Sequence, residues 1–413
     1  MIKRSLHFVF LQGMPSPFFS RVAGELSRLG CRTTGINLCV GDAIFWRGVN
    51  TVNYRGKLAD WPAFLTEFFL NHQVTDLVLL GEQRLYHKPA VEVAKAAGVR
   101  VTVTDFGYLR PDWITLEKNG MGGNSIFPRD PAEIMKLASE APGLDMSRCY
   151  VDSAFNMAAG DLLYSFSNVF LGWLFPHYRR SDKRPHPALY FPAIGRRLLL
   201  ARSGQRRARK RVQELIESKA KYFLFPLQLE HDFQIVAYSP FKRLSDAIRI
   251  VMRSFASRAG KDTRLAVKVH PWDPGFRNWE KWIAQWAHEL GIADRVDYFD
   301  GGSLDEMIVH SAGMITVNST SGIRALQLGR PVKVLGQAVY DVPGLTCQEE
   351  LDAFWTGDHG PDRALADAFI RAMAATIQIR GVYFSEPGLS NAVREAVQRL
   401  HDGKVGAPLG SSL

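Results

Sequence analysis

Gly313-Met314-Ile315-Thr316-Val317-Asn318-Ser319-Thr320-Ser321-Gly322-Ile323-Arg324-Ala325-Leu326-Gln327 contains the transition on which the fold reading turns. Residues 313–317 are a short apolar run that predicts a buried strand, and 322–327 open a helix. A strand that feeds a helix through so short a turn is the building unit of a parallel α/β sheet. A helix start presents free backbone N–H groups, and the hydroxyls of Ser319, Thr320 and Ser321 add donors, which suits one or two phosphate charges. Ordinary capping by Ser or Thr uses the same residue types. No Lys follows Gly322, so the turn is not an ATPase-type P-loop.

The same alternation extends in both directions. Strands are expected at 222–225, 265–269, 296–299 and 332–335, with helices at 244–259, 279–290, 304–310, 363–377 and 391–400. Towards the N-terminus, strands are expected at 5–12, 33–39, 49–54, 76–80 and 99–104, separated by helices at 18–29, 61–70 and 89–97. Strands joined by 10–15-residue helices mean parallel sheets with crossovers. At 413 residues the chain is long enough for two domains. The layout expected is α/β and GT-B-like: two Rossmann-like domains facing each other across a cleft. They divide as residues 1–150, an apolar and basic helical connector at 151–215, residues 216–360, and closing helices at 361–413.

Charge is unevenly placed. The net charge is +10, yet residues 179–211 hold twelve Lys or Arg against one acid, Asp182, so the rest of the chain sums to −1. The apolar, aromatic stretch before it, with Trp173, suggests an interfacial membrane segment beside a basic patch; an aromatic core helix beside a solvated basic helix is the bland alternative. The Arg206–Arg211 cluster lacks the interleaved aromatics of a nucleic-acid module, so no nucleic-acid partner is expected. Met1-Ile2-Lys3-Arg4 runs straight into a strand, so no signal peptide is expected. Cys31, Cys39, Cys149 and Cys347 have no metal or redox spacing, which suggests a cytoplasmic protein. No metal and no cofactor are expected.

Ligands of open parallel sheets bind beyond the carboxyl ends of the strands, and polar turns stand at those positions. Gln12 and Gly13 follow the first strand. Glu82, Arg84 and His87 follow the strand at 76–80. Asp105, Gly107 and Arg110 end the next one. Gln228, His231 and Asp232 open the second half, and Lys268 and His270 end the strand before Pro271. A carboxylate at a strand end suits nucleophilic or acid/base work; a structural Asp–Arg pair is the plainer alternative.

These motifs, in this order, resemble the KpsS/LipB-type capsule polysaccharide family. The resemblance rests on Gln12-Gly13 with Pro17-Phe18-Phe19-Ser20, on Gly107-Tyr108-Leu109-Arg110-Pro111, on Pro128-Arg129-Asp130-Pro131, on Lys268 with His270-Pro271, on Asn318-Ser319-Thr320-Ser321-Gly322, and on the stretch 331–341. It implies a retaining β-Kdo transferase that moves Kdo from CMP-Kdo to a (lyso)phosphatidylglycerol-type lipid and so starts a capsule linker. It also implies peripheral attachment at the inner-membrane surface, with other capsule biosynthesis or export proteins as partners. On this reading the first domain receives the acceptor and the second holds the nucleotide. Asp105 is the nucleophile, and Glu82 or His87 takes the acceptor proton. Arg84 or Arg110 pairs with the sugar carboxylate. Gln12, Gly13, Gln228, Asp232, Lys268, His270 and residues Asn318, Ser319, Thr320, Ser321 and Gly322 bind substrate. In two places the chain departs from the family pattern: Phe106 replaces a second acid after Asp105, and Glu82 replaces the usual Asp. A transferase using another nucleotide sugar, or a non-catalytic export protein, are the alternatives.

Overall fold

The computed structural model describes residues 5–407 except 49, 142, 144, 181–183 and 231. Of the residues named above, Met1, Ile2, Lys3, Arg4, Asp182 and His231 lie outside the described residues, as does the first position of the strand expected at 49–54.

Among the described residues, six strands occupy the first part of the chain: β1 (His7–Leu11), β2 (Arg32–Asn37), β3 (Thr51–Asn53), β4 (Asp76–Leu80), β5 (Arg100–Phe106) and β6 (Trp113–Lys118). Five follow: β7 (Tyr222–Pro226), β8 (Arg264–Lys268), β9 (Val296–Phe299), β10 (Gly313–Thr316) and β11 (Val332–Val334). A last strand, β12 (Gln378–Arg380), comes near the C-terminus. They form two sheets, ordered β12-β6-β5-β4-β1-β2-β3 and β11-β10-β7-β8-β9. The second is parallel throughout. In the first, β1 to β5 are parallel, but β6 runs antiparallel to β5 and β12 antiparallel to β6. The two-sheet α/β architecture is therefore as expected, with an antiparallel edge added to the first sheet. That edge depends on Gly107. A Cβ there would stand 2.3 Å from the carbonyl oxygen of Trp113, so only Gly lets the β5–β6 hairpin close.

The chain divides into two compact units. The first comprises Met1–Phe127, Lys136–Lys183 and Ile370–Leu413, and the second Pro128–Met135 and Arg184–Phe369. The division differs from one near residue 215 with separate closing helices, for two packing reasons. The helix Pro187–Glu217 seats Ala208 and Val212 on the glycine turn after β9, where Cβ atoms on Gly301 and Gly302 would come within 2.9 and 2.7 Å of them. The helix Gly388–His401 buries Leu389, Val393 and Val397, an apolar stripe at helical spacing, in the same core as Phe18, Val22 and Leu26 of the helix Phe18–Arg28. The second unit's core gathers Phe223, Val251, Val267, Trp279, Ile315 and Phe354 around its own sheet.

Both sheets share one topology. The first strand of each unit lies between its second and its fourth, so the strand order reverses beside it, at β1/β4 and at β7/β10. Such reversals open a crevice beyond the strand ends, where ligands of this fold class bind. Gln12 and Gly81 border the first crevice, and Gln228 and Asn318 the second.

The apolar stretch after residue 150 is the helix Ala154–Phe170, capped by Ser153, whose side chain accepts from the N–H of Asn156. Its inner face is fixed by Gly160, where a Cβ would lie 2.4 Å from the carbonyl oxygen of Pro15, and by Ser167. Its outer face is apolar and exposed: Phe155 (80%), Leu162, Leu163, Val169 and Phe170, followed by Trp173 (72%). Among the described residues no helix is long and apolar enough to cross a membrane.

Candidate functional site

In the first unit, Gly81 closes β4 with φ +61, a conformation that favours glycine. This bend brings the following loop back over the neighbouring strand end. A Cβ on Gly81 would stand 3.7 Å from Arg84 Nε and 3.9 Å from Asp105 Oδ2, so the turn, the guanidinium and the carboxylate share one spot. Burial raises the Asp105 carboxyl above the usual carboxylate range, while Arg84, the N–H of Phe106 (2.7 Å) and Arg110 oppose the rise. Asp105 is nevertheless only half-buried, so solvent reaches a carboxylate crowded by protein. Arg110 lies over the Phe106 ring at 5.1 Å. Phe106 is in turn held edge-on by Tyr383 at 5.5 Å, and Tyr383 shares a hydrogen bond with Thr104 at 2.8 Å. Phe106 is thus the seat of Arg110.

Glu82 and His87 do not join this spot as proton carriers. His87 is fully buried, its Nδ1 is 2.8 Å from the carbonyl oxygens of both Leu80 and Gly81, and burial followed by Arg84 pushes its pKa down to about 3. A ring so enclosed and so firmly neutral fixes the β4 turn instead of exchanging protons with an acceptor. Glu82 is 2% exposed and accepts from Asn124 at 3.1 Å. It borders an inner cluster in which burial pushes the Glu117 carboxyl up to about 8, against hydrogen bonds from Ser125 and Tyr108.

Gln12 also adopts a left-handed conformation, φ +27, just beyond β1. Its amide nitrogen is 3.3 Å from the Tyr164 hydroxyl and 3.5 Å from Asp42 Oδ1. Gly13 is pressed against Phe19, whose ring would meet a Cβ at 2.7 Å.

In the second unit the crevice is bridged by a side-chain pair. Gln228 donates to Asn318 Oδ1 at 3.0 Å and to Asp232 at 3.3 Å, and the N–H of Asn318 donates back to Gln228. Asn318 spends its own amide on the carbonyl oxygens of Gln234 and Tyr238, and Asp232 also accepts from the N–H of Gln234. Gln228, Asp232 and Asn318 therefore hold the loops in place, with little left to offer a ligand. The hydroxyl turn is likewise partly committed. The N–H of Ser321 donates to Ser319 Oγ, that of Gly322 to the Ser319 carbonyl oxygen, and Gly322 admits Tyr340, whose hydroxyl would meet a Cβ at 2.4 Å. The helix that follows, Ser321–Gln327, has only seven residues. Among the described residues the Thr320 hydroxyl makes no hydrogen bond and that of Ser319 only accepts, from the N–H and hydroxyl of Ser321, so Ser319 and Thr320 are the donors the turn still presents.

Lys268 ends β8, one strand from this crevice. It is 5% exposed, and burial lowers its pKa, with Asp300 opposing and Arg197 reinforcing the fall. Among the described residues its ammonium has neither a hydrogen bond nor an ion pair within 4 Å. A largely buried ammonium with no direct ion pair, and only Asp300 to balance it, suits an anionic ligand. His270 accepts the N–H of Trp272 on Nδ1 at 3.1 Å, which places the neutral ring's proton on Nε2. Arg197 comes from the basic helix and pairs with Asp300. Neither was singled out in the sequence. The signal available was the stripe Arg197, Ala208, Val212, one face of a helix, together with the Asp300-Gly301-Gly302 turn that receives it. Among the described residues no three His, Cys, Asp or Glu side chains form a group that could hold a metal ion.

Residues 75–384 match the family model described as capsule polysaccharide biosynthesis protein. The chain belongs to the capsule polysaccharide biosynthesis family. Within this family it is 31% identical to the capsule polysaccharide export protein KpsS of Escherichia coli over 384 residues, 91% of this chain and 96% of that protein. It is 29% identical to the capsule polysaccharide modification protein LipB of Neisseria meningitidis serogroup A, covering 94% of this chain and 93% of that protein. Among solved structures it is similar to the β-Kdo 2,7 transferase of Thermosulfurimonas dismutans KpsC, with 13% identity, 96% of this chain and 99% of that one covered, and a TM-score of 0.46. The capsule family assignment spans both units and includes Asp105, Lys268 and residues 318–322.

Proposed function

We propose that this member of the capsule family is a retaining β-Kdo transferase that uses CMP-Kdo. The observation that carries the reading is Lys268, a largely buried side chain whose ammonium, at the strand-end edge of the second unit, makes no direct ion pair among the described residues. CMP-Kdo bears one phosphodiester. Lys268, with the hydroxyls of Ser319 and Thr320, supplies donors for that charge and stabilises it as the phosphate leaves. The carboxylate in this reading is Asp105. Asp105 attacks the anomeric carbon as the bond to the CMP oxygen breaks, and CMP departs with the bonding electrons. An acceptor hydroxyl then displaces Asp105 from the opposite face, its proton passing to solvent and Asp105 leaving as a carboxylate. Two inversions give retention, as in retaining glycosidases. Arg84 and Arg110 flank Asp105 and suit the sugar's own carboxylate.

The acceptor in this reading is an anionic lipid of the (lyso)phosphatidylglycerol type. The exposed face of Ala154–Phe170 with Trp173, followed by exposed Arg179 and Arg180, supports contact with an anionic inner-membrane surface, where each basic residue contributes about 1 kcal/mol. Thermal shift with CMP, UDP and GDP tests the donor. Stabilisation by CMP alone is expected, because only a ligand that binds the folded state raises the transition. Equal shifts with all three would overturn the choice of nucleotide.

A further inference from the structure

Lys268 and Arg197 stand close together in the second unit and share one carboxylate, Asp300. The charges that act on the largely buried Lys268 are Asp300, which favours the ammonium, and Arg197, which opposes it. Arg197 comes from the helix Pro187–Glu217 and pairs with Asp300. Their meeting follows from how that helix is seated. Arg197 lies about three turns before Ala208 on the same helix face, and Ala208 and Val212 rest on Gly301 and Gly302, immediately after Asp300. On the other side Gly275 leaves room for the guanidinium: a Cβ there would stand 3.9 Å from Arg197 Nη1. The charges of the neighbouring loop are engaged elsewhere. Asp273 accepts the N–H of Gly275 at 2.7 Å and the indole N–H of Trp279 at 3.2 Å, and Arg277 pairs with Glu230 at 2.9 Å.

Lys268, Arg197 and Asp300 thus set two cations against one anion, and one positive charge is left for a ligand. The Asp300 side chain is 56% exposed, so it remains beside the site and is felt by any anion that enters. A phosphodiester brings a single negative charge and completes the balance. A pyrophosphate group brings more, and the excess meets Asp300, where like charges at close range weaken binding. We infer that Arg197 is the second cation of the anion site that Lys268 begins, and that Asp300 sets the charge of that site so that it favours nucleotides with one phosphate over those with two. The inference rests on the transferase reading for the nucleotide, and on these three side chains alone for the charge. It gives a physical reason for a donor built on a nucleoside monophosphate.

The test uses the full chain and the probes CMP, CDP, UMP and UDP, with binding measured by calorimetry. CMP and CDP differ only in phosphate, and wild type should bind CMP about tenfold more tightly, the size expected of one added like charge beside a half-exposed carboxylate. Asp300→Asn should bring the two close to parity by strengthening CDP binding, while Asp300→Glu, which keeps the charge, should keep the preference. Arg197→Gln should weaken CMP binding about tenfold, as loss of a charge-assisted hydrogen bond does, and Arg197→Lys should recover part of it. CDP binding as tight as CMP in wild type, or a CMP-to-CDP ratio unchanged in Asp300→Asn, overturns the inference and leaves the transferase reading standing. So does a CMP affinity unchanged in Arg197→Gln. UMP binding as tight as CMP, with both diphosphates weaker, upholds the charge selection and overturns the choice of CMP. Binding of none of the four overturns both.

Discussion

Replacing His87 with Asn separates a fixed neutral ring from a proton carrier. The Asn amide keeps a donor near Nδ1, so the carbonyl oxygens of Leu80 and Gly81 retain a partner. The folded protein holds His87 at a pKa of about 3, against 6.5 for an unburied histidine. Because the folded value is lowered, the unfolded chain takes up this proton first as pH falls. The stability gained from keeping the ring neutral is whole above pH 6.5 and is lost progressively between 6.5 and about 3. At pH 5 the loss amounts to about 2 kcal/mol for this one group. Urea unfolding of wild type and His87→Asn at pH 7.5 and pH 5.0 measures it, since every other titration is common to both. Wild type should lose about 2 kcal/mol more than the variant over that interval. Equal losses would show that the ring titrates normally and that its enclosure has been misjudged.

Lys268→Met should weaken CMP binding by roughly 10- to 100-fold, the value of a charge-assisted hydrogen bond, measured by calorimetry. The same change should leave urea stability unchanged or higher, because a buried unpaired charge is removed. Gly322→Ala should destabilise the second unit by about 1–3 kcal/mol, since the new methyl must displace Tyr340; thermal unfolding reports it, and an unchanged midpoint would contradict the packing. Phe106→Asp adds a second acid beside Asp105, yet it should lower both stability and transfer rate. Successive strand residues point to opposite faces, and the new carboxylate would sit among Tyr383, Phe384 and the guanidinium of Arg110. Phe170→Ser with Trp173→Ser should abolish flotation with anionic liposomes while circular dichroism stays the same.

The parallel strands and most helices were legible because each carries its own apolar run or stripe, as at Asp76–Leu80 and Trp279–Glu289. The strands β6 and β12 were not. β12 has three residues and acquires strand character only by pairing with β6 across more than 250 positions of sequence, which no local pattern records. The candidate site was partly legible for the same reason. Strand ends mark where polar residues gather, so Asp105, Arg84 and Lys268 stood out. Sequence could not separate residues that face a ligand from those that hold a loop. His87, Gln228 and Asn318 proved to be loop holders once their partners were visible. Arg197 and Asp300 were hidden because their meeting depends on how one long helix lies along the glycine turn after β9.

The most direct test of the central claim is intact-protein mass spectrometry after incubation with CMP-Kdo in the absence of acceptor, followed by addition of a lysophosphatidylglycerol. Wild type should gain the mass of one Kdo residue, with the modified peptide containing Asp105, and should lose it as glycosylated lipid appears. Asp105→Ala should show neither the adduct nor the product. Full product formation by Asp105→Ala would contradict the account.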